Sequence, residues 1–420
     1  MNPARITVIG VGAYGLPPSG REALVEADLV VGGRRLLSLC HDEIPRGAAT
    51  VVIGGDLTPA LDAIEAANGD VVVLASGDPG FFGIVRALSE RLGRRRLRVL
   101  PGVSAVATAF AAAGLSWDDA IVVSAHGRDP ATAVHACLAH PKVAVLTAPG
   151  FGPVDLAQAL RRAGCDERTF IVAERLGEPG SRIVESGLDE VAGRVFGHPN
   201  AVVVLDERAA MRASGASSPR RHVPDGWALD PTEFAHRAGM ISKREVRAFA
   251  LATLGPGLGD LVWDVGAGSG SVAVECARFG AAVVAIERDA EACALIEKNA
   301  AAHDVALRVV HGRAPAALKG LPDPDATFVG GGGPDLEKIL VEVLARTSRA
   351  VVVALATVER VGPTLAACNS GGWEASARML HVSDLAPLPG GRTQGDAAHR
   401  LAAHNPIFII EGSRIREQRS

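Results

Sequence analysis

Short apolar runs alternate with helix-like stretches along almost the whole chain, and this alternation constrains the fold more than any other feature of the sequence. Strand-like runs at residues 5–10, 70–75 and 261–265 each end at a glycine-containing turn. Such alternation is typical of α/β architecture, because parallel strands need a crossover connection that is usually helical. The sequence therefore predicts an α/β protein in which several glycine turns lie at the carboxyl ends of strands.

The composition indicates a globular protein of more than one domain. The chain has 420 residues, of which 48% are apolar and 21% are charged, so it is too long for one small core and too apolar to be disordered. Aromatic residues make up only 4%, so the cores must consist mainly of Ala, Val, Leu and Ile, as in buried parallel strands. The net charge of −4 provides no overall field for nucleic acid or anionic lipid, and we expect neither as a partner.

The six cysteines are scattered along the chain and form no CxxC pair. Zinc spacing is therefore absent, a disulfide framework is not expected in a chain this long, and no metal site is predicted. The N-terminus lacks the apolar core of a signal peptide, and no apolar run reaches the roughly 18–20 residues that span a bilayer. These features favour a reducing cytoplasm and no membrane partner.

One stretch interrupts the alternation and indicates a domain boundary. Residues 214–221 are rich in Ser, Gly and Pro and show no periodicity, which is typical of a linker. We therefore predict a first domain at residues 1–208, a linker at 209–228 and a second domain at 229–420. The halves differ in the order of their motifs, which argues against gene duplication.

The second half contains a glycine loop whose spacing distinguishes between ligands. Gly266, Gly268 and Gly270 follow a buried strand in a GxGxG pattern, and Glu287 ends the next strand. Glycines allow close approach of a ligand, N–H groups at the helix start face its polar atoms, and the acidic residue accepts hydrogen bonds from ribose. Nicotinamide enzymes use GxGxxG, and Asp264 before the loop would repel a pyrophosphate. The pattern favours S-adenosylmethionine, whose cationic groups tolerate a carboxylate.

Two further glycine segments in the second half follow strand-like runs. Ala314, after Gly312 and Arg313, lies where adenine would stack, and its backbone is a candidate contact. Residues 330–333 are four consecutive glycines at the end of the fourth strand-like run, where a substrate could enter. They could equally form only a flexible turn, and the sequence leaves both interpretations open.

The first half contains a different set of turns at the ends of strand-like runs. Gly77, Asp78 and Pro79 follow one run, whereas Ser104 and Ala105 follow another and open a helix. Small residues and polar groups at the carboxyl ends of strands are typical of ligand sites in open α/β sheets. One such turn is as often structural as functional, so the prediction of a site depends on the combination.

This combination resembles the tetrapyrrole methylase family over about residues 5–205. The resemblance rests on the motifs at residues 77–79 and 101–104, and it implies two α/β subdomains with S-adenosylmethionine folded in the cleft between them. The family implies four donor contacts in this half: Gly77, Asp78, Ser104 and Ala105. The chain would then hold the same methyl donor at two sites of different construction.

The first loop departs from the common pattern of that family. Many members have a Gly-Pro-Gly run there, whereas this chain has Gly-Ala-Tyr-Gly-Leu-Pro-Pro at residues 12–18. That variant, with residues 27–35 after it, is similar to the branch of the family that acts on precorrin-6Y.

The second half is similar to the partner domain of the same branch, in residues 241–248 and 263–271. That resemblance implies a Rossmann-like class I methyltransferase fold, in which Ser242 replaces a donor-contacting threonine and keeps its hydroxyl. It also implies an enzyme of cobalamin biosynthesis. The first domain would methylate carbon 5 of the tetrapyrrole, and the second would decarboxylate the ring C acetate and methylate carbon 15. The partner-domain family tends to assemble, so we expect a homo-oligomer.

The expected chemistry demands no strong general base, and we predict no specific catalytic residue. The donor is already activated, so the protein chiefly positions it and excludes water. A tetrapyrrole carries many carboxylates, which arginines near strand ends could bind bidentately. For each of the four candidates, an ordinary solvated role is the more frequent alternative: Arg128, Arg175, Arg313 and Arg392.

Two other functions stay open from the residues alone. A methyltransferase for RNA or protein would use the first half as a recognition module, but the chain has one Tyr and a negative net charge. The end of the fourth strand-like run also lacks an Asn/Asp-Pro-Pro-aromatic motif. A nicotinamide oxidoreductase is disfavoured by the glycine spacing.

Overall fold

The computed structural model describes residues 6–213, 226–237, 241–331, 333–387 and 399–415. These residues fall into two compact units. The first contains the described residues up to Arg128 together with Lys142–Ala157 and Glu167–Ala213, and the second contains the remainder.

The first sheet of the first unit is five-stranded and entirely parallel. Its strands are β1 (Ile6–Val11), β2 (Leu29–Gly33), β3 (Ala49–Ile53), β4 (Val71–Ser76) and β5 (Leu97–Leu100). The helices between them are α1 (Pro18–Val25), α2 (Arg34–Leu39), α3 (Thr58–Ala66) and α4 (Val85–Leu92). The strand order is β3-β2-β4-β1-β5. Because β1 pairs in parallel with both β4 and β5, the loops after these three strands leave the same edge.

Helices cover both faces of this sheet, and the alternation along β1 shows how. Ile6 and Val8 pack with residues of α3 and α4, whereas Ile9 and Val11 pack with residues of α1 and α2. Successive side chains of a strand point to opposite faces, so a strand covered on both sides is almost entirely apolar. All six residues of β1 are buried accordingly.

The second sheet of the first unit is mixed. Its strands are β6 (Ile121–Ser124), β7 (Lys142–Leu146), β8 (Thr169–Glu174), β9 (Arg182–Gly187) and β10 (Asn200–Leu205). The helices of this part of the chain are α5 (Ala105–Ala113), α6 (Ala131–Ala139), α7 (Pro153–Arg162), α8 (Leu188–Ala192) and α9 (Glu207–Ala213). The order is β6-β7-β10-β8-β9, with β6 parallel to β7 and the other pairs antiparallel. Helix α5 buries Val106, Ala109 and Phe110 against this sheet.

The second unit is built on a seven-stranded sheet. Its strands are β11 (Leu261–Val265), β12 (Ala282–Glu287), β13 (Arg308–His311), β14 (Ala326–Gly330), β15 (Ala350–Leu355), β16 (Trp373–Leu380) and β19 (Ile407–Arg414); β17 (Ser383–Pro387) and β18 (His399–Ala403) pair separately. The helices are α10 (Arg244–Leu254), α11 (Ser271–Arg278), α12 (Ala290–Ala302), α13 (Leu336–Arg346) and α14 (Val361–Ser370). The order β13-β12-β11-β14-β15-β19-β16 is parallel except for β19, which pairs antiparallel with both neighbours.

The core of this unit lies on both faces of its sheet. Trp263 packs with residues of α13 and α14 on one face, and Val262 packs with residues of α10 and α11 on the other. The chain runs outward from β11 through β12 to β13 and then returns to β14, so the strand order reverses between β11 and β14. Ligands of open α/β sheets bind outside the strand ends at such a reversal.

The predicted α/β class is confirmed, with Rossmann-like parallel sheets in both units. The seven-stranded sheet of the second unit ends in an antiparallel edge formed by β16 and β19. The sequence missed β3, β9 and the pairing of β17 with β18. In the part of the chain that the structure describes, no helix is both long and apolar enough to cross a bilayer.

Candidate functional site

The first unit contains a cavity of about 710 Å³ at the carboxyl edge of its first sheet, which we call the first cavity. The loops after β1, β4 and β5 form one wall, and Ser124, Thr147 and Asn200 of the second sheet contribute to the other. All four residues predicted as donor contacts in this half line the cavity: Gly77, Asp78, Ser104 and Ala105. The structure thus brings them together, and their contact with a donor stays a prediction.

Close backbone packing holds the three loops of the first cavity together. The Gly77 N–H donates to the Val11 carbonyl at 2.8 Å, and the Gly102 N–H donates to the Gly77 carbonyl at 3.2 Å. A Cβ atom on Gly10 would collide with the backbone of Gly77 and Gly102. Glycine is therefore required at this crossing, because any side chain would push the loops apart.

Asp78 and Ser104 shape the first cavity through hydrogen bonds to the backbone. Asp78 Oδ1 accepts from the Gly80 N–H at 2.8 Å, which closes the turn after β4. Ser104 is the N-cap of α5, and its Oγ accepts from the Ala107 N–H at 3.0 Å. Among the described residues Asp78 Oδ2 has no hydrogen-bond partner, so that oxygen is available to a ligand.

An ion-pair cluster joins the two sheets beside the first cavity. Arg35 donates to Glu178 Oε1 at 2.9 Å, and Arg175 donates to Glu178 Oε2 at 3.2 Å. Burial alone would raise the pKa of Glu178, but the hydrogen bonds and charges of the two arginines outweigh burial and hold that pKa below its ordinary value. Arg35 and Arg175 are therefore already paired, which makes them weak candidates for binding a substrate carboxylate.

The second unit contains a cavity of about 750 Å³ at the carboxyl edge of its sheet, which we call the second cavity. The loops after β11, β12, β13 and β14 surround it, because these parallel strands end at one edge. Four of the six residues predicted as donor contacts in this half line the cavity: Gly266, Gly268, Glu287 and Ala314. Gly270 and Ser242 lie outside its lining.

The glycines of the loop after β11 have different surroundings. Gly268 and Gly270 both have positive φ, at 57° and 75°. A Cβ atom on Gly268 would meet nothing within 4 Å, whereas one on Gly270 would lie 2.9 Å from side-chain atoms of Ile296. Gly268 therefore leaves room at the cavity, and Gly270 leaves room for the packing of α12 against the loop.

Glu287 is fixed at the end of β12 by three backbone hydrogen bonds. Its Oε2 accepts from the Gly268 N–H at 2.9 Å, and its Oε1 accepts from the N–H groups of Arg288 and Asp289 at 2.8 and 3.0 Å. Oε2 keeps a lone pair, which a ribose hydroxyl could use. The carboxylate is thus held in one orientation before any ligand arrives.

Asp264 does not line the second cavity, which corrects the sequence argument that its charge would face the ligand. Its carboxylate is buried, and Oδ2 accepts from the Ala273 N–H of α11 at 2.9 Å. Burial raises the pKa of Asp264 to about 7; the hydrogen bond from Ala273 opposes this rise, and the charge of Glu287 adds to it. Asp264 therefore binds the first turn of α11, which follows the glycine loop.

A segment that precedes the sheet also forms part of the second cavity. Residues 226–237, here called the strap, end in His236 and Arg237, and both line the cavity. Arg237 forms ion pairs with Asp289 and Glu291 at the start of α12. These residues could not be predicted from the sequence, because the strap has no periodicity or motif.

Asn299 on α12 links the strap to the glycine loop. Its Nδ2 donates to the Ser269 carbonyl at 2.8 Å and to the Ala235 carbonyl at 2.9 Å, and its Oδ1 accepts from the Ala235 N–H at 2.7 Å. The side chain is 1% exposed. An asparagine buried in an otherwise apolar helix face was the sequence signal that could have identified it.

One hydroxyl in the wall of the second cavity has no partner among the described residues. Ser269 Oγ is buried, lies within the glycine loop and makes no hydrogen bond there. Buried polar groups are nearly always paired, so this hydroxyl leaves a hydrogen bond to be made by a ligand or a water in the cavity. Ser269 stood inside the predicted motif but was not selected as a contact.

The candidate arginines that the structure describes have different surroundings. Arg313 and Asp335 both line the second cavity and form an ion pair, with 2.9 Å between Arg313 Nε and Asp335 Oδ2. Arg128 lies near the first cavity, with its guanidinium over the ring of Phe82. Arg392 lies outside the described residues.

The run of four glycines after β14 also reaches the second cavity. Gly330, Gly331 and Gly333 line it, and Gly332 lies outside the described residues. No cluster of three or more His, Cys, Asp or Glu side chains that could hold a metal ion occurs within the described ranges.

Two family models match the chain. Residues 5–192 match the model for tetrapyrrole (corrin/porphyrin) methylases, and residues 232–395 match a model described as a precorrin methyltransferase domain. These ranges contain the first and the second cavity motifs respectively.

The chain is similar to proteins of two kinds, one that matches most of its length and one that matches less than half of it. A precorrin-6Y C(5,15)-methyltransferase [decarboxylating] from Sinorhizobium sp is 38% identical over 365 residues, which are 84% of this chain and 85% of that protein. A cobalt-precorrin-7 C(5)-methyltransferase from Salmonella typhimurium is 35% identical over 208 residues, which are 48% of this chain and 100% of that protein. A probable cobalt-precorrin-6B C(15)-methyltransferase (decarboxylating) from Pyrobaculum calidifontis is 35% identical over 188 residues, which are 43% of this chain and 93% of that protein.

Proposed function

The chain belongs to the family of decarboxylating precorrin-6Y C(5,15)-methyltransferases, and from that membership we propose that it binds S-adenosylmethionine at two sites and methylates precorrin-6Y twice. The product would carry new methyl groups at carbons 5 and 15 and would lack the ring C acetate carboxylate, giving precorrin-8X. The observation that supports this most directly is the pair of cavities, each at the carboxyl edge of a separate parallel sheet.

We assign the two methylations to different cavities. The first cavity, within a domain at residues 1–208, would serve carbon 5, and the second, within a domain at residues 229–420, would serve decarboxylation and carbon 15. Support comes from the two shorter relatives, since one is named for carbon 5 alone and the other for carbon 15 with decarboxylation. Residues 209–228 would connect the two activities.

Each methyl transfer is an in-line displacement at the methyl carbon of the donor. An electron-rich carbon of the macrocycle forms the new bond, the bond from the methyl carbon to sulfur breaks, and S-adenosylhomocysteine leaves. The positive charge of the sulfonium passes to the macrocycle, which then releases a proton to solvent. The protein contributes by holding the two reactants in line and excluding water, an effect that can supply several kcal/mol (about 7–11 in well-oriented model reactions). Decarboxylation leaves an electron pair that the conjugated macrocycle accepts, and a proton replaces the lost carboxylate.

In the second cavity the proposed donor would use groups that are already in place. Glu287 Oε2 would accept a hydrogen bond from ribose, and the backbone of Ala314 would lie against adenine. The unpaired Ser269 hydroxyl would donate to the carboxylate of the methionine part. In the first cavity the donor would contact Gly77, Ala105 and the free oxygen of Asp78. The proposed contacts of Gly270 and Ser242 have weaker support, since neither lines the cavity.

Location and assembly are further parts of this proposal. A cytoplasmic location is supported by the cysteines, because all six are buried, and Cys40, Cys276, Cys293 and Cys368 are free thiols. Assembly of identical chains is supported by a cross-strand pair in the β17–β18 ribbon, Leu385 and Leu401, whose side chains are 70% and 69% exposed. Light scattering at several protein concentrations tests the assembly.

The experiment that tests the function is mass spectrometry of the products formed from precorrin-6Y, which counts methyl groups gained and carboxylates lost. Asp78→Ala should leave a product with one methyl group and no ring C carboxylate. Glu287→Ala should remove the other methylation. If either variant abolishes all of the reactions or none of them, the assignment of one reaction to each cavity is wrong.

Two matched variants control for loss of structure. Asp56 makes the same kind of turn bond as Asp78, to the Thr58 N–H at 2.9 Å, but does not line the first cavity. Glu297 is an exposed carboxylate on α12 that does not line the second cavity. Asp56→Ala and Glu297→Ala should both give the doubly methylated product.

A further inference from the structure

Phe82 adopts a strained backbone conformation although nearly half of the residue is exposed to solvent. Its φ is 54°, in the left-handed region that bulky residues rarely occupy, and its side chain is 44% exposed. The ring lines the first cavity and lies edge-on to Phe81, with centroids 4.9 Å apart. Strained residues of this kind cluster at ligand sites, because the surrounding structure holds them there for a purpose other than stability.

The guanidinium of Arg128 lies over the exposed ring of Phe82. The guanidinium carbon lies 5.5 Å from the ring centroid, a cation–π arrangement. Arg128 follows His126, which also lines the first cavity. A guanidinium that rests on an aromatic face keeps its N–H edge free for a planar acceptor.

The pairing of the neighbouring arginines makes Arg128 different from them. Arg35 and Arg175 already donate to Glu178. Arg128 forms no ion pair with any carboxylate in the described ranges, and it is exposed. Arg86 lines the same cavity and also lacks an ion pair there, but no aromatic ring orients it. Arg128 does not itself line the first cavity, but it lies on the ring of Phe82, which does, and it is the arginine with an aromatic support and no ion pair among these arginines.

We propose that Arg128, supported by Phe82, binds a carboxylate side chain of the tetrapyrrole and thereby positions the macrocycle over the donor of the first cavity. This inference rests on the proposed function, since it takes a polycarboxylate ring as the substrate. The fork of an arginine matches a carboxylate bidentately, which fixes both distance and orientation. The pair would therefore determine which carbon of the ring meets the methyl group.

The test uses steady-state kinetics of methylation at carbon 5 with the intact protein and its tetrapyrrole substrate. Arg128→Ala should raise KM for the tetrapyrrole about 10- to 100-fold, the range expected for losing a charge-assisted hydrogen bond. Arg128→Lys keeps the charge but loses the fork, so it should recover only part of the loss. Phe82→Leu should raise the same KM by a smaller factor. Phe82→Trp keeps an aromatic face, so its KM should stay close to that of the unmodified protein.

Three readouts separate this role from a structural one. The affinity for S-adenosylhomocysteine, measured by calorimetry, should be unchanged in Arg128→Ala and Arg128→Lys. Decarboxylation and methylation at carbon 15 by the same chain should also be unchanged. Arg46→Ala, which removes an exposed arginine that does not line the cavity, should behave like the unmodified protein.

The outcomes distinguish this inference from the proposed function. If the unmodified chain does not methylate precorrin-6Y, the proposed function fails. If it does so and Arg128→Ala leaves KM for the tetrapyrrole unchanged, Arg128 does not bind the substrate and the inference is overturned. A weakened affinity for S-adenosylhomocysteine in Arg128→Ala would also overturn it, because the residue would then act on the donor.

Discussion

Arg247 and Glu275 form an ion pair in which neither side chain has any solvent exposure, with 3.1 Å between Arg247 Nε and Glu275 Oε1. Glu275 also accepts from the N–H groups of Ala228 and Leu229, both at 2.8 Å. Arg247 also donates to the carbonyls of Leu229 and Ser242. The pair thus fastens the start of the strap and the residues before α10 to the folded core, which places the strap at the second cavity.

Removing the charge of Glu275 should destabilise the second unit strongly. Glu275→Gln leaves the Arg247 guanidinium buried without a counter-charge, and breaking a buried pair in this way costs about 3–5 kcal/mol. Urea unfolding followed by tryptophan fluorescence should show a loss of that size. Glu297→Gln, which alters an exposed carboxylate on α12, should leave the transition unchanged; an equal loss there would mean that the burial of the pair does not matter.

Substitution of Asn299 should weaken ligand binding at the second cavity without changing any residue that lines it. Asn299→Ala removes the hydrogen-bond partner of the Ser269 carbonyl and of both the N–H and the carbonyl of Ala235, and each unsatisfied buried group costs about 1–3 kcal/mol. We expect the glycine loop and the strap to loosen and the affinity of the second site for S-adenosylhomocysteine to fall about tenfold. Calorimetry should show one weakened site and one unchanged site, with Lys298→Ala as the exposed control. Equal weakening of both sites would contradict this role.

Much of the second cavity could be predicted from the sequence, because its main elements are local. Gly266, Gly268 and Glu287 lie at strand ends in one short stretch, and the parallel sheet brings strand ends to one edge. The role of Asn299 could not be predicted, because its bonds depend on how α12 packs against two separate segments. The orientation of Asp264 was also missed, since whether a residue at a strand end faces the cavity or the core depends on packing.

The first cavity also combines residues that short motifs predict with residues that only the folded sheets bring near. Gly77 and Ser104 were predicted from their own motifs, and both line the cavity. Thr147 and Asn200 reach it from the second sheet, through pairing that no short motif specifies. The arrangement of Arg35, Arg175 and Glu178 joins residues more than 140 positions apart, so sequence patterns could not show which arginines are already paired.

Two glycines of the loop after β11 should respond differently to the same substitution. Both glycines have positive φ, so alanine strains the backbone at either position. Gly268→Ala meets no atom within 4 Å and adds a methyl group at the second cavity, so beyond that shared strain it should mainly lower donor affinity. Gly270→Ala places one 2.9 Å from Ile296, so it should lower stability, by about 1–3 kcal/mol as overpacked cores do. Calorimetry and urea unfolding of both variants give the comparison. The prediction fails if both variants lower donor affinity and stability in the same proportion.

Asp264 should make the stability of the second unit depend on pH. The carboxyl has an ordinary pKa of 3.8 and a pKa of about 7 in the fold, where burial is the main cause and the charge of Glu287 adds to it. Between these pH values the folded state binds a proton that the unfolded state does not. The stability that protonated Asp264 contributes is therefore fully present below about pH 4 and is lost as pH rises to about 7.

Asp264→Asn removes this titration and keeps an oxygen that can accept from the Ala273 N–H. The shift corresponds to about 4 kcal/mol at most, so the variant should gain stability relative to the unmodified protein as pH rises from 4 to 7. Urea unfolding of both proteins at several pH values measures the difference, and the comparison cancels the titration of all other groups. A difference that stays constant across this range would mean that Asp264 is already ionised in the folded protein at low pH, with its charge stabilised by the hydrogen bond to α11.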